Sequence, residues 1–272
     1  MIHETWVQVG LAPFLAGFVV ALVLFKLRLG GLAVAAGFCA TAWLVGVLDP
    51  ATGTATQKFV LLALAAPALG LVADFAFHAG RMTAYVLGAA FGGAALWTFS
   101  ASIMQRAPVP AFIIGGGIVL FVAWTVAFTA SLHANSVRGG AAALALGLGA
   151  GFSALLSGGP YGYLGIASGA AAGGFLFLQM LLGQRIDAGL VFCLAAGVQG
   201  ALVAAGALTL GRLGWIALPI LALVPLAARI PLPARWPVWG QTLLAAFYAA
   251  ACGGAAVATV YVASRGWPSW LK

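Results

Sequence analysis

The sequence predicts an all-α, polytopic transmembrane helix bundle, and three features of its composition support that prediction. Of its 272 residues, 64% are hydrophobic and only 6% are charged, whereas a typical soluble domain carries about 25% charged residues. A soluble protein cannot cover its surface with so few charges, but a lipid bilayer requires an apolar outer surface. The mean hydropathy of +1.13 agrees, and the 38 glycines favour close helix packing in lipid.

Ten apolar runs approach or exceed the length of about 20 residues that a membrane span needs. They cover residues 9–25, 29–48, 59–77, 83–104, 110–132, 139–157, 162–183, 188–210, 213–228 and 239–263. The ninth run is the shortest and contains both Pro219 and Pro225, which interrupt helices. Between the sixth and seventh runs, residues 158–162 indicate either a tight turn or a re-entrant break. All connections are short, so we predict a single transmembrane domain over residues 1–272.

Basic residues are more frequent at alternate junctions, which predicts the orientation of the chain. Seven follow the odd-numbered runs: Lys26, Arg28, Arg81, Arg138, Arg185, Arg229 and Arg235. Five lie on the other side: Lys58, Arg106, Arg212, Arg265 and Lys272. The richer side is expected to be cytoplasmic, which places both termini in the periplasm. Richness in Ala and Gly, with short loops, favours a bacterial inner membrane. The basic residues are scattered singly, so nucleic acid is not an expected partner.

A weak internal repeat suggests one further interpretation of the domain. Residues 29–36 resemble residues 164–171, at an offset of nearly half the chain. Two inverted halves of five spans each, 1–137 and 138–272, would follow a common transporter plan. The likeness does not extend to Pro67 and Asp74, and matches between Ala- and Gly-rich segments arise easily by chance.

Three ionisable residues near the end of the third run form a candidate polar or proton site. Asp74, His78 and Arg81 stand at positions i, i+4 and i+7, which share one helical face. A carboxylate, an imidazole and a guanidinium in this order suit proton relay or anion binding inside a membrane. A simpler interpretation is that Asp74 pairs with Arg81 while Arg81 reaches the aqueous interface.

Gln199 is the most central polar residue of the eighth run, between Gly197 and Gly200. An amide in the middle of a bilayer generally bonds a neighbouring helix, for about 0.6–2 kcal/mol. The alternative is that Gln199 faces a substrate pathway.

Glycines spaced four residues apart mark candidate helix crossings, because a missing side chain lets another backbone approach. These glycines are Gly88 and Gly92, Gly147 and Gly151, and Gly165, Gly169 and Gly173. The pattern predicts tight packing within the chain, against other membrane subunits, or in a homo-oligomer.

The sequence shows no catalytic constellation, metal-ligand cluster or cofactor motif, so we expect neither an enzyme nor a bound metal or cofactor. Two function classes stay open. The first is a small secondary transporter or permease for a neutral or weakly charged solute, which the ten runs and the proline-interrupted spans favour. The second is a non-catalytic membrane subunit that stabilises a larger complex, which the scarcity of buried ionisable groups favours.

Overall fold

A computed structural model of the chain describes residues 5–27, 29–47, 54–76, 80–159, 161–211 and 213–265, without the side chain of Arg81. Within these ranges the secondary structure is helical and contains no strand. The helices are α1 (Ala12–Leu24), α2 (Ala33–Leu44), α3 (Ala55–Ala76), α4 (Arg81–Met104), α5 (Pro108–Ala130), α6 (Ser136–Leu156), α7 (Gly162–Leu182), α8 (Gly189–Leu210), α9 (Ala217–Ala222), α10 (Val224–Ala227) and α11 (Val238–Arg265). A π-helical turn, Val7–Leu11, precedes α1. The 3₁₀ turns Phe25–Leu27 and Gly30–Leu32 lie between α1 and α2.

Eight helices in the described part of the chain are long and apolar enough to cross a membrane. The prediction of an all-helical, multi-pass membrane protein is therefore confirmed. The second and ninth predicted runs form the shorter apolar helices Gly30–Leu44 and Ala217–Ala227 instead. The ninth is divided into α9 and α10 at Leu223, in the segment that holds both prolines.

Helix α8 is the centre of the bundle. It packs against α3, α5 and α6, with smaller contacts to α7 and α4. Every residue in its most apolar stretch is buried, which is unlike the lipid-facing pattern of α1 and α11, whose stretches are 22% and 28% buried. Small residues allow this enclosure, since helices pack closely around a core of Gly and Ala.

The α6–α7 pair forms an antiparallel hairpin whose contact we call the glycine seam, made by Gly147 and Gly151 of α6 and Gly165 and Gly169 of α7. A Cβ added to Gly147 would lie 2.5 Å from the backbone nitrogen of Gly169. A Cβ on Gly165 would lie 2.7 Å from the Cα of Gly151. Real Cβ atoms do not approach backbone so closely, so these positions hold the two helices in direct backbone contact.

The other predicted glycines divide into two kinds. Gly88 and Gly92 of α4 lie against α5, where added Cβ atoms would stand 2.7 Å from the carbonyl oxygen of Ala123 and 2.8 Å from that of Val119. Gly173 differs, because its nearest neighbour, a methyl group of Leu144, would be at an ordinary 3.5 Å. The seam therefore ends at Gly169, one turn before the sequence pattern does.

Two ends of the bundle are distinguished by their connections. The basic end carries the α5–α6, α7–α8 and α10–α11 connections, where Arg229 donates to Ser131 Oγ and Arg185 donates to Gln241 Oε1 at 2.7 Å. The opposite end, which we call the cavity end, carries the α4–α5, α6–α7 and α8–α9 connections. There the Arg106 guanidinium donates to the carbonyl oxygen of Thr209 at 3.1 Å.

Candidate functional site

Asp74 near the end of α3 holds the start of α8. Its Oδ1 accepts a hydrogen bond from the backbone N–H of Leu190, and its Oδ2 accepts one from that of Val191, both at 3.0 Å. The first N–H groups of a helix have no partner within the helix and carry partial positive charge. The Asp74 carboxylate thus caps a neighbouring helix. Gly189 leaves room for it, since a Cβ there would lie 2.5 Å from Asp74 Oδ2.

The predicted partners of Asp74 are not among the groups that the structure describes. His78 lies outside the described residues, and for Arg81 only the backbone, the first residue of α4, is described. The proposed Asp74–His78–Arg81 relay therefore stays a prediction. The described partners of Asp74 are backbone amides of α8, which the sequence spacing within α3 could not indicate.

Gln199 is fully buried in the middle of α8. It shares a side of that helix with Phe192 and Val203, seven residues before and four after it. That side faces α7, because the Phe192 ring packs on Phe175 with centroids 4.5 Å apart. Neither amide atom of Gln199 has a hydrogen-bond partner within the described ranges, so the expected bond to a neighbouring helix is absent there. A buried, unpaired amide costs about 1–3 kcal/mol, and no described hydrogen bond offsets that cost at Gln199.

The chain leaves helical geometry where α8 passes into α9, and we call this segment the α8–α9 break, Gly211 and residues 213–216. Gly211 is extended, with φ −108° and ψ −155°. The N–H groups of Gly211 and Leu213 both donate back to the carbonyl oxygen of Ala207. The Trp215 indole packs on Gly117 of α5. Gly117 lies nine residues into α5, about 13 Å along its axis, so the break runs beside membrane-embedded helix.

A second interruption follows between α9 and α10. The backbone N–H of Leu226 donates to the carbonyl oxygen of Leu223. In a regular helix it would donate to that of Ala222, so the Ala222 carbonyl oxygen lacks its usual helical partner. The indole Nε1–H of Trp124 in α5 donates to that oxygen at 3.1 Å. The proline at 225 has no N–H to donate. The ninth predicted span therefore consists of the break and two short helical pieces, as its two prolines suggested.

A cavity of about 750 Å³ lies beside the α8–α9 break at the cavity end. Its lining comes from the ends of α6, α8 and α11 and from the start of α9. The lining residues are Leu156, Ser157, Gly158, Leu210, Gly211, Gly214, Ile216, Ala217, Thr259, Val260, Ala263 and Ser264. Thr259 lies six residues before the end of α11, about 9 Å along the helix, so the cavity reaches well below the end of the bundle.

The α6–α7 connection closes the bundle beside this cavity. Tyr161 is buried there, stacked on Phe59 with centroids 4.3 Å apart and within 3.3 Å of the Thr56 hydroxyl. A Cβ on Gly206 of α8 would meet the Tyr161 ring at 2.5 Å. Burial raises the pKa of Tyr161 above its ordinary value, and the hydrogen bond with Thr56 offsets part of that rise. This connection joins two long helices, which agrees with the turn interpretation of residues 158–162 rather than with a re-entrant break, although Pro160 itself lies outside the described residues.

Sequence reasoning identified the interrupted ninth span but missed the cavity. The lining residues are Ser, Thr, Gly and aliphatic residues that are unremarkable one by one, and the ends of four helices bring them together. The one available signal was the pair of glycines that follows α8, Gly211 and Gly214, at the start of a segment that is otherwise apolar enough for a span. In the described part of the chain, no three His, Cys, Asp or Glu side chains stand close enough to hold a metal ion. No known protein family, no curated protein and no solved structure matches this chain.

Proposed function

We propose that this protein is a small secondary transporter or permease for a neutral or weakly charged solute. The observation that carries the proposal is the cavity beside the α8–α9 break. Non-helical backbone at membrane depth is tolerated where it is buried in protein or lines a cavity, and transporters place their substrate sites at such interrupted helices. Here Gly211, Gly214 and Ile216 belong both to the break and to the cavity lining.

The size and chemistry of the cavity support a small uncharged solute. Sites for small molecules typically occupy about 300–1,000 Å³, and this cavity falls within that range. Its described lining includes hydroxyl groups and backbone but no Asp, Glu, Lys or Arg side chain. A full charge would be expensive to hold in a partly dehydrated space without a counter-charge.

We further propose ten membrane crossings, with both termini in the periplasm of a bacterial cell. The described contacts support this arrangement. Arg185 and Arg229 form their hydrogen bonds at one end of the bundle, with Gln241 and Ser131, whereas Arg106 bonds Thr209 at the other end. Under this proposal the basic end is cytoplasmic and the cavity opens toward the periplasm. A cytoplasm-only fluorescent reporter fused after Lys272 should stay dark, and a fluorescent fusion would contradict the orientation.

Osmotic reswelling of proteoliposomes tests transport without a known substrate. Vesicles with the purified protein are shrunk with a panel of neutral solutes, and the rate of reswelling reports solute entry. The decisive variant is Gly214→Trp, because Gly214 lines the cavity and a Cβ there meets no atom within 4 Å. The matched control is Gly254→Trp, on the exposed side of α11, where a Cβ also meets nothing.

We expect faster reswelling than in protein-free vesicles for at least one solute, retained by Gly254→Trp and lost in Gly214→Trp. Equal rates for all three protein samples and for protein-free vesicles, across the whole panel, would reject passive permeation. A repeat of the panel with an imposed proton gradient then decides whether coupled uptake also fails.

The second candidate function is a non-catalytic membrane subunit, which the outer side of α11 favours. Ala250, Gly254 and Ala258 are exposed there at a spacing of four residues, the pattern of a close helix crossing. Purification from the native host in mild detergent tests this candidate. A stoichiometric partner that Gly254→Leu releases would favour the subunit, whereas a single-chain preparation would favour the transporter.

A further inference from the structure

We propose that the cavity binds a neutral solute that brings several hydrogen-bond donors, such as a polyol or a primary amide. This inference deepens the proposed transport function and rests on it for the role of the cavity. The proposal depends on which hydrogen-bonding groups the cavity has left to offer.

The hydroxyl groups in the lining have already used their protons. Ser157 Oγ, Thr259 Oγ1 and Ser264 Oγ each donate to the carbonyl oxygen three residues earlier in their own helix, at 3.0, 2.7 and 2.8 Å. A hydroxyl has one proton and two acceptor lone pairs. The three oxygens therefore present acceptors to a solute and no donor.

The backbone around the cavity adds acceptors of the same kind. Helices α6, α8 and α11 all end there, at Leu156, Leu210 and Arg265, and each reaches the lining with its final residues. The last carbonyl groups of a helix lack partners within the helix and carry partial negative charge. Only α9 approaches with its first residues, and it is a single short helix.

The charged and polar groups around the cavity oppose both a cation and an anion. The Arg106 guanidinium donates to the carbonyl oxygen of Thr209, next to the lining residue Leu210. Arg265 ends α11, with its guanidinium over the Tyr261 ring at 4.5 Å. These positive charges oppose a cation, and no carboxylate among the described lining residues offsets them. An anion would face a lining made mainly of acceptors. A neutral, donor-rich solute matches both conditions.

Cysteine protection in nanodiscs tests this inference directly. Ala263→Cys places a thiol in the lining, in a background where the half-buried Cys39 and Cys252 are replaced by Ala; Cys193 is buried and is kept. The rate of labelling by a water-soluble maleimide is measured with mannitol, urea, tetramethylurea or choline present. Mannitol and urea bring donors, tetramethylurea has none, and choline is a cation. The control thiol is Ala234→Cys, which is exposed in the α10–α11 connection.

We expect mannitol or urea to slow labelling at residue 263 at least threefold, with no effect at residue 234. Thr259→Val, which keeps the shape but removes the acceptor, should raise the concentration needed for that protection at least threefold. The triple variant, Thr259→Val with Ser157→Ala and Ser264→Ala, should raise the concentration needed for protection about tenfold. If the triple variant does not fold, Thr259→Val alone is sufficient for the test. Protection by tetramethylurea or choline equal to that by mannitol and urea, protection unaffected by Thr259→Val, or no protection by either donor would overturn the inference.

The outcomes separate this inference from the proposed function. Donor-dependent protection without solute entry in the reswelling assay, either with or without the imposed proton gradient, keeps the binding site and rejects the transporter. Solute entry or coupled uptake that Gly214→Trp blocks, without protection by mannitol or urea, keeps the transporter and rejects the donor-rich solute.

Discussion

The glycines of the glycine seam and the glycine at the middle of the α8–α9 break have opposite surroundings. At Gly147 and Gly169 another helix backbone occupies the space where a side chain would stand. At Gly214 that space is empty and continues into the cavity. Glycine therefore accompanies close packing of two helices at the seam and open space at the α8–α9 break. The difference depends on whether another helix lies beside the glycine, because a glycine allows close approach but does not cause it.

The start of α8 belongs with the closed positions, whereas the segment that follows its end contains the open one. Gly70 of α3 lies against Val191, where an added Cβ would be 2.5 Å from its Cα, and the Asp74 carboxylate caps the adjacent amides. At the other end α8 passes into the break. Helix α8 thus has an anchored start, and it leads into a segment with open space beside it.

The largest expected effect is on the glycine seam. Gly169→Leu should abolish the recovery of folded protein, because even its Cβ would lie 2.7 Å from the backbone nitrogen of Leu148 and the helices would have to separate. The yield of purified protein and its monodispersity on size-exclusion chromatography measure this recovery. Gly93→Leu, at an exposed and unobstructed position of α4, is the matched control and should behave as wild type. Normal yield for Gly169→Leu would mean that α6 and α7 separate without loss of the fold.

The next effect concerns the anchored start of α8. Asp74→Leu leaves two helix N–H groups without their acceptor, at about 1–3 kcal/mol for each buried unpaired group. Asp74→Asn keeps one acceptor oxygen and should cost roughly half as much. Thermal unfolding in detergent gives the ranking wild type, Asn, Leu. Asp187→Asn is the control, since its single bond to Gly189 N–H survives in the amide. Asp74→Asn as stable as wild type, with uptake abolished, would instead support the proton-site prediction for Asp74.

Much of this fold follows from the composition, and the candidate site does not. Eight long apolar runs became long helices because, in lipid, an apolar segment satisfies its backbone only as a helix. Pro219 and Pro225 correctly marked the interruption of the ninth run, because proline removes a donor at a fixed position. The cavity escaped prediction because its polar groups are backbone carbonyls and hydroxyls, which every helix end offers. The partners of Asp74 escaped because they lie 116 and 117 residues away along the chain.

A smaller effect on the unfolding temperature is expected at two glycines in the left-handed region, where a steric contact can be distinguished from backbone strain. Gly183 and Gly189 have φ of +64° and +63°, so alanine at either position costs about 1 kcal/mol of conformational strain. A Cβ at Gly183 meets nothing within 4 Å, whereas one at Gly189 reaches Asp74 Oδ2. Gly189→Ala should therefore lower the unfolding temperature more than Gly183→Ala. In an Asp74→Ala background no side-chain atom remains at the Oδ2 position, and the two alanines should become equal. A difference that persists there would mean that Gly189 meets some other group.

The smallest expected effect has the opposite sign and tests the open position most directly. Gly214→Ala adds one methyl group where no atom lies within 4 Å, and Gly214 is not among the glycines with positive φ. Alanine restricts the unfolded chain more than glycine does, so a compatible site gains about 0.4–1 kcal/mol of stability. Gly169→Ala, with the same change in the unfolded chain, should lose stability because its methyl group meets backbone. Thermal unfolding of both variants measures the difference, in which the common unfolded-state term cancels. A loss at Gly214 as large as that at Gly169 would mean that the cavity is closed in the resting protein, and the transport proposal would lose its main support.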